Sequence, residues 1–110
     1  MLNPKEFKKE AEPVVEWIDR YLNNIKSLPV KARVKPGEIY NSIPEEAPIH
    51  SESMKEIMED FDRIILPGMT QWQHPGFHAY FPANSSVESI LAESLTSAMG
   101  AQCMIWDTSP

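Results

Sequence analysis

Four prolines fall between Ser27 and His50 (SLPVKARVKPGEIYNSIPEEAPIH), and they constrain this chain more than any other feature. Each pushes the residue before it toward extended geometry, so Pro29, Pro36, Pro44 and Pro48 predict an extended strap over residues 27–50 and not a helix. A strap of that length without regular structure is unusual in a compact domain. It implies that the surface it crosses lies partly outside the 110 residues. The ten prolines are about twice the usual share of roughly 5%, and they cluster between helical patterns. No internal repeat or low-complexity tract accompanies them.

Three helices are predicted around the strap. Residues 4–26 carry Phe7, Ala11, Val14, Ile18, Leu22 and Ile25 on one face, with Asn3 as cap, Pro4 in the first position and Glu6 placed for a capping box. Pro13 requires that this helix either kink or begin near Glu12. The second helix, Met54 to Leu66, is boxed by Ser53 and Glu56 and ended by Pro67-Gly68. The third begins at Ser85, boxed with Glu88, and runs through Val87, Leu91, Leu95 and Met99 to Gly100. Its small residues, among them Ala92, Ser94, Ser97 and Ala98, allow a close neighbour. Finally, Asp107-Thr108-Ser109-Pro110 reads as the opening of another helix, as in a piece of a longer protein.

Charge narrows the function classes. Ten Lys+Arg against 16 Asp+Glu leave a net charge of -6, with no basic stripe for nucleic acid. Beyond Arg63 the only charged side chains are Glu88, Glu93 and Asp107, so residues 64–110 suit burial or an interface. The longest uncharged run, Ile64 to Val87, is broken by Pro67, Gly68, Pro75 and Gly76 and cannot span a membrane. One cysteine and a charged start without an apolar core segment imply a soluble, cytoplasmic chain.

Candidate chemistry is sparse. His74 and His78 are four apart, but Pro75-Gly76 argues against a shared helix face and no carboxylate or Cys joins them. Loop histidines bonded to backbone are expected, and no metal. Cys103 lacks a basic neighbour and is expected to be buried and inert. The seven lysines sit in polar contexts unsuited to Schiff-base chemistry, and no glycine-rich phosphate loop is present. The segment holds no complete catalytic constellation. The informative stretch is charge-free: Trp72, Phe77, Tyr80 and Phe81 within ten residues, stiffened by Pro82. It reads either as an aromatic mini-core under the third helix or as a wall stacking on a flat ligand, with the tyrosine hydroxyl as polar handle.

WQHPGFHAYFPANSS, the small-residue helix and the W-x-x-S-P that follows resemble the N-terminal region of the group II pyridoxal-phosphate (PLP) decarboxylases. The nearest look-alikes are the aromatic-L-amino-acid decarboxylases, with relatives acting on tyrosine, tryptophan and histidine. The resemblance extends to the Phe7 helix, to Pro36-Gly37, to Ile43-Pro44 through Pro48, and to Ile64-Ile65-Leu66-Pro67-Gly68.

The resemblance implies a mainly α segment, about three helices and the strap, at the N-terminus of a fold-type-I homodimer whose large domain is α/β. Residues 1–84 would be a helical dimerisation segment lying across the partner subunit. Residues 85–110 would be the helix and motif leading into the PLP-binding domain. Trp72, Tyr80, Phe81, Pro82 and Ala83 would line the substrate pocket. Gln102 and Met104 would face it from a stretch reaching into the neighbouring subunit's active site. Such enzymes use PLP as an electron sink for the carbanion left by the departing carboxylate. The family's catalytic lysine, ring-nitrogen aspartate and stacking histidine lie downstream, so the segment alone is expected to be inactive.

Two departures stand out. Ala83 replaces the usual threonine after Y-F-P, and Gln102-Cys103-Met104 replaces I-G-F, which puts an amide and an adaptable thioether in the wall. The implied function is decarboxylation of an aromatic L-amino acid to the amine, although a few family members oxidise their substrates to aldehydes. The rival is a self-standing helical interaction module derived from such an enzyme, its apolar stripes covered by self-association or a partner helix.

Overall fold

The computed structural model describes residues 3–82, 85–107 and 109. It forms two units, one ending at Ala79 and the other starting at Tyr80. Both are helical where regular, and no strand occurs among the described residues.

The first unit opens as its capping sequence predicts. Asn3 accepts from the Lys5 N–H at 3.1 Å, and Pro4–Glu6 makes one 3-10 turn. That turn closes through backbone, the Glu6 N–H donating to the Asn3 carbonyl at 2.9 Å. Helix α1 then runs Phe7–Asn24 with Pro13 inside it, followed by a 3-10 turn at Ile25–Ser27. Pro13 therefore does not set the start of the helix. An interior proline costs about 3 kcal/mol, and the docking of α1 onto its neighbour offsets this.

The docked face takes in the middle of the predicted stripe, with Ala11, Val14, Ile18 and Ile25 half-buried, and extends to one side of it. Phe7 is 72% exposed and Leu22 is exposed too, whereas Glu10, Trp17 and Tyr21 make the contacts. Trp17 stacks on Tyr21 (5.0 Å, 11°) and meets Phe61 edge-on (5.0 Å, 89°). Its indole N–H donates to Asp62, which also takes Arg20 at 2.6 Å.

The strap is largely irregular, as its prolines require, but contains a short helix, α2 (Glu38–Ser42), that the proline rule did not foresee. Proline restrains only the residue before it, which leaves 37–42 free. Gly37 turns the chain at φ 84°, a left-handed backbone that suits glycine, and the Glu38 carboxylate accepts from the Lys35 N–H at 3.0 Å.

Helix α3 (Met54–Asp60) begins with the predicted capping box, Ser53 with Glu56. The predicted continuous helix to Leu66 instead widens into a π turn at Phe61–Ile65 and tightens to a 3-10 turn at Leu66–Gly68. Ile64, 7% exposed, sits in that π turn. Together with Gln71 it makes up the buried set among the described residues.

In the second unit, α4 (Val87–Met99) starts one residue later than predicted. Ser86 is extended (φ -129°, ψ 163°) and forms a reciprocal box with Ser89, whose hydroxyl does what Glu88 was expected to do. Gly100 ends the helix at φ 57°. The helix opening expected at the C-terminus falls on Thr108 and Pro110, which lie outside the described residues. No described helix is long and apolar enough to cross a membrane.

Candidate functional site

The aromatic stretch starts from a buried amide. Gln71 is 3% exposed, and each of its polar groups has a partner. Its backbone N–H donates to the Val30 carbonyl at 2.9 Å. Its Oε1 accepts from the Tyr21 hydroxyl at 2.6 Å, and its Nε2 donates to the Met69 carbonyl at 3.2 Å. Burial pushes the Tyr21 phenol pKa up, which keeps it a donor. From Gln71 the chain advances by successive turns: the His74 N–H donates to the Gln71 carbonyl at 3.0 Å, and the Phe77 N–H to the His74 carbonyl at 2.9 Å.

His74 fastens the middle of this loop. Its Nδ1 accepts from the Gly76 N–H at 2.8 Å, and its Nε2 lies 3.4 Å from the Lys26 carbonyl. The expected loop histidine bonded to backbone is therefore found at 74; His78 is exposed. Held between these anchors, Trp72 packs on Phe77 at 4.8 Å and 44° and is 45% exposed.

Trp72 lies in the first unit, while Tyr80, Phe81, Pro82, Gln102 and Met104 lie in the second, so the two groups are described separately. Tyr80 stands at φ 57°, the one non-glycine residue with positive φ among the described residues. Tyr80 is 81% exposed and Phe81 fully so. Pro82, Gln102 and Met104 are exposed as well, and Ala83 lies outside the described residues. Cys103 is exposed, not buried as expected; its sulfur accepts from the Ser109 hydroxyl at 3.4 Å. A charge-poor segment does not bury its thiol when the segment itself has almost no interior.

Shallow concavities lie elsewhere in the first unit. One of about 280 Å³ is lined by Ile43, Pro44, Ile57, Phe61, Ile64 and Ile65, among others. Another, about 330 Å³, lies between Leu28, Val34, Leu66 and Met69, with Gln71 on its wall. No cluster of three or more His, Cys, Asp or Glu suited to a metal occurs among the described residues. The aromatic residues can stack on and orient a flat ligand; no described group is placed to break a bond. The residues that hold the loop, Tyr21, Gln71 and His74, were not singled out as anchors from sequence. The available signal was a glutamine inside an otherwise uncharged aromatic and proline-rich run, facing a tyrosine four residues after Trp17.

Residues 36–110 match the family model described as the pyridoxal-dependent decarboxylase conserved domain. The 4-hydroxyphenylacetaldehyde synthase of Rhodiola rosea is 43% identical over 105 residues, 96% of this chain and 21% of that protein. Its crystal structure superposes on 99% of this chain and 23% of its own with a TM-score of 0.89. The aromatic-L-amino-acid decarboxylase of Catharanthus roseus is 39% identical over 99% of this chain and 22% of its own length. The structure of the Oryza sativa TDC with PLP and tryptamine is 30% identical, with a TM-score of 0.89 over 99% of this chain and 23% of that one. The chain thus spans about a fifth of the length of the curated relatives it matches.

Proposed function

The chain belongs to the pyridoxal-dependent decarboxylase family, and from that premise we propose that it is the N-terminal part of an enzyme removing the carboxylate of an aromatic L-amino acid as CO2 to give the amine. One observation carries the reading: the family match includes the whole aromatic loop, on a backbone that follows a structure solved with PLP and tryptamine. In this proposal the protein is a cytoplasmic homodimer. Residues 1–84 form its helical dimerisation segment, and 85–110 lead into the large domain. The exposed row Val87, Leu91, Leu95 and Met99 on α4 is in keeping with 85–110 packing on further protein, since four apolar side chains at four-residue spacing need a cover.

PLP supplies the electron sink when bound. The described residues do not fit it: all seven lysines are exposed, and the sequence holds no glycine-rich phosphate loop. Their part is to hold the substrate. In this proposal Trp72 of the first unit and Tyr80, Phe81 and Pro82 of the second each offer apolar surface to the substrate in the full-length enzyme, and Ala83 follows them in sequence. Gln102 offers an amide donor and acceptor to the ring's polar edge, and Met104 adapts to its shape.

A second reading, oxidative conversion to the aldehyde, is favoured by the 43% identity to an aldehyde synthase. Assaying the full-length enzyme with aromatic L-amino acids separates the two. CO2 and amine without oxygen uptake support decarboxylation. Aldehyde, ammonia and peroxide with oxygen uptake support the second. Turnover of no L-amino acid would remove both.

A further inference from the structure

We infer that Tyr21, Gln71 and His74 are positioning residues that fix the Trp72–Phe77 ring pair by tying residues 71–77 to the end of α1 and the start of the strap. This rests on the reading of Trp72 as part of the substrate wall. Its grounds are geometric. The loop holding Trp72 and Phe77 is pinned at its first residue by three bonds to three separate elements: Tyr21 on α1, Val30 on the strap and Met69 after the 3-10 turn. It is pinned again at its midpoint, where one imidazole spans from the Gly76 N–H to the Lys26 carbonyl. Both anchors reach into residues 21–30, so the whole loop moves with the C-terminal end of α1.

The arrangement is also hard to shift. A Cβ at Gly76 would meet the His74 ring at 3.1 Å and Val30 at 3.4 Å, so the turn lies close against both. A buried amide with an unmade bond costs more than the bond returns, so Gln71 holds the tyrosine hydroxyl firmly. Loss of any anchor loosens the ring pair without touching the ligand, which is the signature of an orienting role.

The test uses the full-length enzyme and an aromatic L-amino acid that it turns over. Tyr21→Phe keeps the ring and deletes only the hydroxyl. His74→Ala removes the midpoint anchor, and His74→Asn restores an acceptor for the Gly76 N–H. Tyr21→Phe and His74→Ala are expected to raise KM roughly three- to tenfold with kcat changed less than twofold, and His74→Asn to recover part of the loss. Ser53→Ala is the stability control: it removes the α3 cap, whose bonds go to Glu56 and not to Tyr21, Gln71 or His74, and should lower Tm without moving KM. If Tyr21→Phe and His74→Ala shift KM no more than Ser53→Ala does at matched Tm loss, the anchors are merely structural and the inference is overturned. A wild type inert toward every L-amino acid removes the functional reading itself, which is a separate result. Should His74→Ala not fold, Tyr21→Phe alone decides, because it leaves no cavity.

Discussion

At Tyr80 the backbone takes the left-handed conformation, uncommon for a bulky side chain and costing about 1–3 kcal/mol. Strain of that kind concentrates where a side chain must point in one direction, and this ring points into the open. Tyr80→Ala in the complete enzyme should therefore lower kcat/KM by roughly tenfold, with Tm moved by about 2–4 °C or less. Parallel steady-state kinetics and thermal melts check this, and equal losses of both would instead indicate a packing role. Capping carboxylates give a pH signature. Glu56 accepts from the Ser53 N–H and hydroxyl, which hold its pKa below the ordinary carboxylate value. The contribution to α3 is therefore complete above the ordinary value and is lost as pH falls through the depressed one. Glu56→Gln should flatten the acid limb of a pH–stability curve, as read by circular dichroism. Such caps are legible in sequence because both partners lie within three residues. The Tyr21–Gln71 pair, 50 residues apart, is not, since nothing local specifies which tyrosine a buried glutamine meets.

Among the elements, α1 shows how far periodicity carries. Of its apolar stripe Ala11, Val14, Ile18 and Ile25 are half-buried while Phe7 and Leu22 are exposed, and the docked face extends to Glu10, Trp17 and Tyr21, whose rings and polar tips meet Phe61, Asp62 and Gln71. Trp17→Ala is accordingly expected to cost about 2–4 kcal/mol, and Phe7→Ala, at its exposed position, under about 0.5 kcal/mol in the unit itself. Chemical denaturation of the two variants compares them. The link between α2 and the Pro67-Gly68 turn is equally specific. A Cβ at Gly68 would lie 2.8 Å from Ile39 Cγ1, so Gly68→Ala must displace the Ile39 side chain and should cost about 1–3 kcal/mol. Helix ends at Ser53, Pro67-Gly68 and Gly100 were readable from turn chemistry. The π turn at Phe61–Ile65 was not, because it is set by the packing of Ile64 and by no local motif.

For the whole molecule the decisive fact is how little interior it has, with Ile64 and Gln71 alone buried among the described residues. The helical class and the family were both legible, the first from periodicity and the second from the ordered motif running from Trp72 onward. Which faces stay open was only half legible, since an apolar stripe announces that it needs a cover but not which stripe is already covered. The isolated 110 residues are expected to melt without a cooperative transition and to bind a hydrophobic dye. A sharp calorimetric transition with a defined oligomer would favour the interaction module instead. The intact mass of the native protein tests the same choice, with a value several times 12.5 kDa expected for the enzyme.

The exposed α4 row also has a consequence in time. At about 5–20 residues per second, a ribosome making a chain of the relatives' length works for on the order of tens of seconds after these residues emerge. In a protein of that length whose downstream part covers this row, Val87, Leu91, Leu95 and Met99 stay exposed for that interval. The yield of this protein in a cell is then governed by whatever shields a nascent segment, and lowering the growth temperature or supplying a chaperone should raise soluble yield more than any stabilising substitution within the segment.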